Sequence, residues 1–347
     1  MAYARTYDGA GFGADLAALF RHQLTACELK PGELCVCITD SAWMPAYAAA
    51  CMSAAEALGA DTVQATFGWN TAPDTRALDA LCKAADLIVY MTAHTLHYRQ
   101  EIAMALDRGA RVLCCMEPPH VLDRLRFDPE VRCRAIAGAH CLNGATRLHI
   151  TSAAGTNLTM DKTGRQGLAA YGAADVPGHL DFWGLGAVQA AQVEGTTEGE
   201  LVLDVGDCVF HLGRFIETPV HIRFEAGRVV SLEGGLDATL IRDALDAAGD
   251  DGAWNAGHMA WGVDPRAIWT QPIIQTPNTG GGGADVESYC GVVQIQMGSN
   301  DDVAFGGKNR SKAHLGLCVR GTTLNLGGLS VVSNGRLKAL DRDHSIT

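Results

Sequence analysis

Apolar positions in the first 150 residues alternate between two textures. Leu16, Leu19, Phe20, Leu24 and Cys27 recur at helical spacing across 14–29. The turn residues Pro31 and Gly32 follow, and then a continuous apolar run, LCVCI, at 34–38. The Ala-rich stretch 46–58 predicts a helix ending at Gly59. Beyond it the pattern predicts a strand near 61–67, a helix near 75–85 and a strand at 86–91 (DLIVYM). A helix near 98–108 ending at Gly109, a strand at 111–116 (RVLCCM), a helix near 129–142 and a strand at 147–151 (RLHIT) complete the series. Strands alternating with helices imply a parallel sheet with helices on both faces. The runs lack polar alternation, as strands covered on both sides do.

From about 151 the pattern shortens. NLTMD, ELVLDVGDCVF, VHIRFEAGRVVSLEGG, GVVQIQMG and TTLNLGGLSVVSNG are β-type runs bounded by Gly, Asn or Asp. One helical stretch, 237–248, interrupts them, and Gly-rich 280–283 reads as a loop between strands. No GxxxxGK[ST] phosphate loop is present. The expected fold is α/β: an N-terminal parallel-sheet domain over 1–150 and a mainly antiparallel domain with a helix over 151–347. A chain of 347 residues suits two such domains.

The net charge of −12 argues against nucleic acid or an anionic membrane surface as partner. No apolar run reaches the roughly 18 residues of a membrane span. The start, MAYARTYDGAG, lacks the basic and apolar regions of a secretory signal. A cytoplasmic location is therefore expected, with the twelve cysteines as reduced thiols. Most sit in apolar runs and no CxxC pair occurs, which reads as core filling rather than a cysteine zinc site.

Five places gather groups that can do chemistry. His94 and His97 follow the strand at 86–91, where open α/β sheets bind ligands; two loop histidines are the plain alternative. Glu117 follows the next strand in MEPPHVL, a carboxylate on a proline-stiffened loop or simply a rigid turn. YGAADVPGHLDFWG holds Asp175, His179, Asp181 and Trp183, either a binding segment or a polar surface loop. AGHMAWGVDPRAIW sets His258 among small and aromatic residues, with Arg266 beyond; a neutral imidazole there is a metal ligand or a core histidine. GGKNRSKAHLGLCV leads Lys308, Arg310 and Lys312 into a strand whose alternation puts His314, Gly316 and Cys318 on one face. None has the HExxH type of metal spacing.

These segments, with LVLDVGD (201–207) and EGGLDATLIRD (233–243), resemble in order the landmarks of the 2,5-dihydroxypyridine 5,6-dioxygenases, within the aminopeptidase-T-like superfamily. The similarity spans nearly the whole chain. It implies a non-haem Fe(II) ring-cleaving dioxygenase of a hydroxylated N-heterocycle that uses O₂. The family iron is held by two histidines and an aspartate, a facial triad with open positions. The resemblance puts those histidines at His258 and His314 and a loop histidine near the substrate at His97, with His94 as alternative. With the residue reading above, the catalytic candidates are His97, His94 and Glu117, and the candidates for holding the substrate are His179, Asp181, Trp183, Arg266 and Lys308. Homo-oligomers are the rule among the relatives.

Two departures stand out. The family's His-x-Asp reads His314-Leu315-Gly316, so the carboxylate ligand is missing. A family histidine is replaced by Phe182, with His179 nearby instead. A carboxylate from elsewhere (Glu287, Asp181 or Asp175), water or substrate, or an altered centre could answer for Gly316. Hence a metal-dependent hydrolase of a small amide or lactam, using Zn, Mn or Fe, is the competing expectation. A ligand-binding protein without catalysis is the third.

Overall fold

The computed structural model describes residues 9–41, 45–68, 75–92, 95–270, 283–301 and 305–338. His94 and most of the Gly-rich segment lie outside the described residues. Two compact units divide the chain. The first comprises residues up to Phe127 together with Gly172–Trp183; the second comprises Asp128–Tyr171 and most of the chain from Gly184 onward.

The first unit is built on a five-stranded parallel sheet. Its order is Asp61–Phe67, Leu34–Asp40, Leu87–Met91, Arg111–Cys114 and Leu180–Phe182. The helices Gly9–Ala26, Pro45–Ala57, Thr75–Ala84 and Gln100–Asp107 fall where the apolar spacing puts them. Three runs legible in the sequence are neighbours in parallel register: Val36 faces Ile88, and Ile88 faces Val112. All these residues are fully buried, as expected for strands covered on both faces. The carboxyl ends of these parallel strands share one edge of the sheet, and His97 and Glu117 follow two of them in the chain.

The second unit carries two antiparallel sheets. The eight-stranded sheet runs Arg228–Glu233, Val220–Glu225, Glu198–Leu203, Asn157–Asp161, Arg147–Ser152, Thr322–Leu326, Leu329–Ser333 and Arg336–Leu337. The seven-stranded sheet runs Arg214–Phe215, Cys208–Val209, His314–Val319, Val293–Gly298, Ala256–Gly262, Ala187–Ala191 and Leu168–Ala170. The helix expected at 237–248 spans Leu236–Ala247.

The division differs from a single cut at 150. The strand RLHIT joins the antiparallel sheet, pairing with Asn157–Asp161 and Thr322–Leu326. Its physical signature is the buried Leu148 and Ile150 alternating with more exposed neighbours, the mark of a half-covered strand. The fifth parallel strand is Leu180–Phe182, inside the segment read as a polar loop. Three residues are too short for periodicity to register. Part of MEPPHVL is also helical, over Pro119–Arg124, with Pro118 as its cap.

The helix Pro129–Asn143, capped by the Asp128 side chain, lies close against the strand Ala187–Ala191 at Gly138. A Cβ there would stand 2.6 Å from Val188 Cγ2 and 3.1 Å from Trp261 Cζ2. Gly138→Ala gains about 1 kcal/mol of helix propensity but overpacks two buried side chains, at about 1–3 kcal/mol. The overpacking wins because both neighbours are rigid core groups. Urea unfolding is expected to show net destabilisation of up to about 2 kcal/mol; a stabilised variant would contradict the close approach. Among the described residues, no helix is long and apolar enough to cross a membrane.

Candidate active site

Three adjacent strands of the seven-stranded sheet set the central row. His258 in Ala256–Gly262 is the cross-strand partner of Gln296, and Gln296 is the partner of Gly316. Cross-strand partners share a face of the sheet, and His314, two residues before Gly316, shares it too. His258 and His314 therefore project to one side with Gln296 between their strands. Their ring centroids lie 5.4 Å apart.

A third imidazole joins them. The ladder between Cys208–Val209 and His314–Val319 ends at Val209 opposite Leu317, where the chain leaves the sheet in a short 3-10 turn, Phe210–Leu212. The Gly316 amide, left without a strand partner on that side, donates to His211 Nδ1 at 3.0 Å. That bond places the proton of neutral His211 on Nε2. The His211 ring stands edge-on to His314, centroids 5.1 Å apart.

Phe305 stacks on His258 at 4.5 Å, and His258 is buried. Its Nδ1 is shut off from solvent and makes no hydrogen bond among the described residues. A buried nitrogen without a partner is an exception in folded proteins, and a ligand is a standard reason for one. Burial, reinforced by the neighbouring imidazoles, holds His211 and His258 well below the usual histidine range. Burial alone pulls His314 down to about 4. All three rings are thus neutral at pH 7, the state in which imidazole binds a metal.

In metal-free protein these rings make stability fall in acid. Between the ordinary histidine value of 6.5 and about 4, the unfolded chain takes a proton that folded His314 refuses. Native stability must then decline as pH drops through that window, by at most on the order of 3 kcal/mol for this partly solvent-touched ring. Denaturant midpoints at pH 7.5 and 4.5, with His314→Ala as reference, measure it. An equal pH slope in parent and variant would refute the assignment.

Among the described residues, no group of three or more His, Cys, Asp and Glu is arranged to hold an ion. Asp175 and Asp181 belong to the first unit, beside His179 at 3.7 and 3.8 Å. Glu287 lies on the short helix Ala284–Ser288, where its carbonyl accepts from Gln294 and its charge helps raise the Cys208 and Cys318 thiols. The space over Gly316 is filled instead: an added Cβ would meet Gln296 Nε2 at 2.8 Å. The donor set present, neutral imidazoles with one unpartnered buried nitrogen, fits a first-row divalent metal.

In the first unit, His97 Nδ1 and the hydroxyl of fully buried Tyr90 are hydrogen-bonded at 2.7 Å. Phe182 meets the His97 ring edge-on at 5.1 Å. Glu117 is buried beyond the end of Arg111–Cys114, its carbonyl accepts the Tyr47 hydroxyl, and its charge helps raise the Cys114 and Cys115 thiols. His179 precedes the strand Leu180–Phe182 and so lies toward the opposite end of the sheet from His97.

Two expected substrate contacts have other work. Trp183 is a core residue: its indole N–H donates to the Leu122 carbonyl and its ring packs edge-on against Phe20. A side chain so enclosed cannot meet a substrate. Arg266 forms a two-bond pair with Asp264, at 3.0 and 2.7 Å, and approaches Asp128 at 3.5 Å, so its charge is already answered within the second unit. Lys308 is exposed, and its backbone N–H anchors the loop to Glu194. Asp181 is buried and accepts from the Phe182 amide.

His211 and Gln296 escaped the sequence reading. The available signal for Gln296 was a polar residue inside the apolar run VQIQM. His211 follows directly on an apolar run and carries no motif.

The NicX family profile, described as 2,5-dihydroxypyridine 5,6-dioxygenase, matches residues 15–339. The chain is 31% identical over 257 residues to a 2,5-dihydroxypyridine 5,6-dioxygenase of Pseudomonas putida strain KT2440, covering 74% of this chain and 72% of that protein. The solved structure of 2,5-dihydroxypyridine dioxygenase from Pseudomonas putida KT2440 superposes with a TM-score of 0.86 at 27% identity, covering 96% of this chain and 99% of that one. Wild-type AmpT from Thermus thermophilus superposes at 0.57 with 14% identity over 94% of this chain and all of that one, which shows a shared fold. A match across nearly the whole length, in sequence and in backbone, means that the chain belongs to the 2,5-dihydroxypyridine 5,6-dioxygenase family.

Proposed function

We propose that the protein is a metal-dependent dioxygenase that opens the ring of a small hydroxylated pyridine with O₂. The observation carrying this reading is the placement of His258 and His314 on one sheet face, in a chain of this family. These two side chains would hold the metal, with Fe(II) the favoured ion. Once bound, Fe(II) would supply redox chemistry and a common site for O₂ and the oxygen substituents of the substrate.

The remaining work falls to the chain. His211, its tautomer set by the Gly316 amide, directs an Nε2–H donor that suits a developing oxyanion. In the first unit His97 is the candidate proton carrier, its ring oriented by the Tyr90 hydroxyl at Nδ1. Glu117, buried in the same unit, is the second proton-carrying candidate. Lys308 remains available for an anionic substrate group. Family membership favours this chemistry over amide or lactam hydrolysis, since the likeness to AmpT extends only to the fold. Twelve free thiols suit a reducing compartment, and we place the protein in the cytoplasm, as a homo-oligomer.

The test is anaerobic loading with Fe(II) followed by 2,5-dihydroxypyridine and O₂. Expected is O₂ uptake matched one-to-one by loss of the pyridine absorbance. Absence of uptake with 2,5-dihydroxypyridine and related pyridine diols, together with hydrolysis of an amide or lactam, would replace this reading by the hydrolase.

A further inference from the structure

We infer that the Gln296 carboxamide oxygen takes the place of the carboxylate missing at Gly316, giving a metal centre of two imidazoles and one neutral oxygen. The inference rests on the metal-site reading above. Three observations carry it. Gln296 sits between His258 and Gly316 in the cross-strand row, so its side chain leaves the sheet on the same face as both histidines. It is 1% exposed, and its Oε1 is buried without a hydrogen-bond partner among the described residues. Its carboxamide fills the space into which a side chain at 316 would grow, with Nε2 2.8 Å and Oε1 3.1 Å from an added Cβ.

The chemistry is consistent at each step. An amide carbonyl in a dry site loses its hydrogen bonds to water and must recover them or meet a cation. Carbonyl oxygen is a hard donor that binds divalent metals without adding charge. A strand neighbour supplies it at the same depth on the sheet face as a residue at 316 would. Two imidazoles and an amide are all neutral, so the bound metal keeps its full charge, whereas a His-x-Asp centre neutralises part of it. Weaker retention of the metal follows.

This geometry also makes Gly316→Asp an uninformative probe by itself. The new side chain would have to displace the Gln296 carboxamide, so the cleaner restoration of the carboxylate also removes the glutamine.

Binding of Co(II), a spectroscopic stand-in for Fe(II), tests the inference without turnover, by anaerobic titration and visible absorption of the full chain. Gln296→Ala should weaken Co(II) binding by about 10–100-fold, at least the range seen for residues supporting a metal site, and alter the ligand-field bands. Gln296→Glu, nearly identical in shape, should tighten binding by at least about tenfold through the added charge. Because glutamate has oxygen at both terminal positions, the outcome does not depend on which end of the carboxamide faces the imidazoles. Gly316→Asp combined with Gln296→Ala should bind more tightly than Gln296→Ala alone. Circular dichroism checks the fold, and Gln296→Glu keeps the test decisive if the alanine variant misfolds. Unchanged affinity and spectrum in Gln296→Glu, or in a folded Gln296→Ala, overturns the inference. If His258→Ala and His314→Ala still lose Co(II), the metal site stands and only the role of Gln296 is wrong; if they retain it, both readings fall.

Discussion

His258→Ala and His314→Ala are each expected to lose the metal and to turn over at below about 1% of the parent rate, while remaining folded. Removing an outer-shell partner of a metal site costs about 10–100-fold, so removing one of two imidazole ligands must cost more. Retention of the fold follows from what these side chains contribute without metal. His258 packs on Phe305 but leaves Nδ1 unpartnered in the interior, so truncation discards a desolvated polar atom along with the packing. His314 is held neutral by burial, which is itself a cost to the folded state below pH 6.5. The control is His221→Ala: His221 is half-exposed on the strand Val220–Glu225 and pairs with Glu200 at 2.7 Å, in the other sheet of the same unit. It should keep parent metal content and activity. Metal analysis after anaerobic loading and O₂ uptake report the two quantities. Full metal and full turnover in either alanine variant would remove that histidine from the site.

Local pattern and tertiary context divided the labour in a way the residues make plain. Strands such as Leu34–Asp40 and Leu87–Met91 were readable because burial on both faces leaves an unbroken apolar run. Leu180–Phe182 was not, because three residues carry no period and its parallel pairing depends on a return from the second unit. Arg147–Ser152 was readable as a strand but not as to its sheet, since a hairpin partner decides that and periodicity does not.

The site shows the same divide. The family resemblance of their short motifs singled out His258 and His314, whose rings the structure brings together, and strand alternation put Gly316 on the face of His314. That Gln296 stands between them is a matter of register among three strands, and no local pattern encodes register. His211 reaches the cluster only because a ladder ends at Val209 and the chain turns. Arg266 and Trp183 meet the same limit from the other side. Residue type suggested binding, but their partners Asp264, Asp128, Leu122 and Phe20 absorb them, and those partners are invisible in a local reading.

Replacing His97 by alanine is expected to lower kcat by about 10²–10⁴-fold, the usual worth of a positioned general acid or base, with metal content unchanged. The unchanged metal separates this residue from the ligand histidines. Tyr90 makes the prediction sharper. Its hydroxyl meets His97 Nδ1 at 2.7 Å from a fully buried position, so it holds the way the ring is turned. Tyr90→Phe removes that oxygen, and with it the bond to the Cys114 thiol, and leaves the ring's packing in the sheet core. It should lower kcat by about tenfold and displace the pH profile of kcat, since the imidazole loses the hydrogen bond that orients it. A purely structural Tyr90 would change stability and leave the profile in place. Residues acting as a unit are non-additive, so the double variant should be no slower than His97→Ala alone. If the two losses multiply instead, Tyr90 acts independently of His97. If His97→Ala keeps more than about a tenth of the parent kcat, well short of the general-acid range, the proton is carried elsewhere, and Glu117 is the next residue to replace.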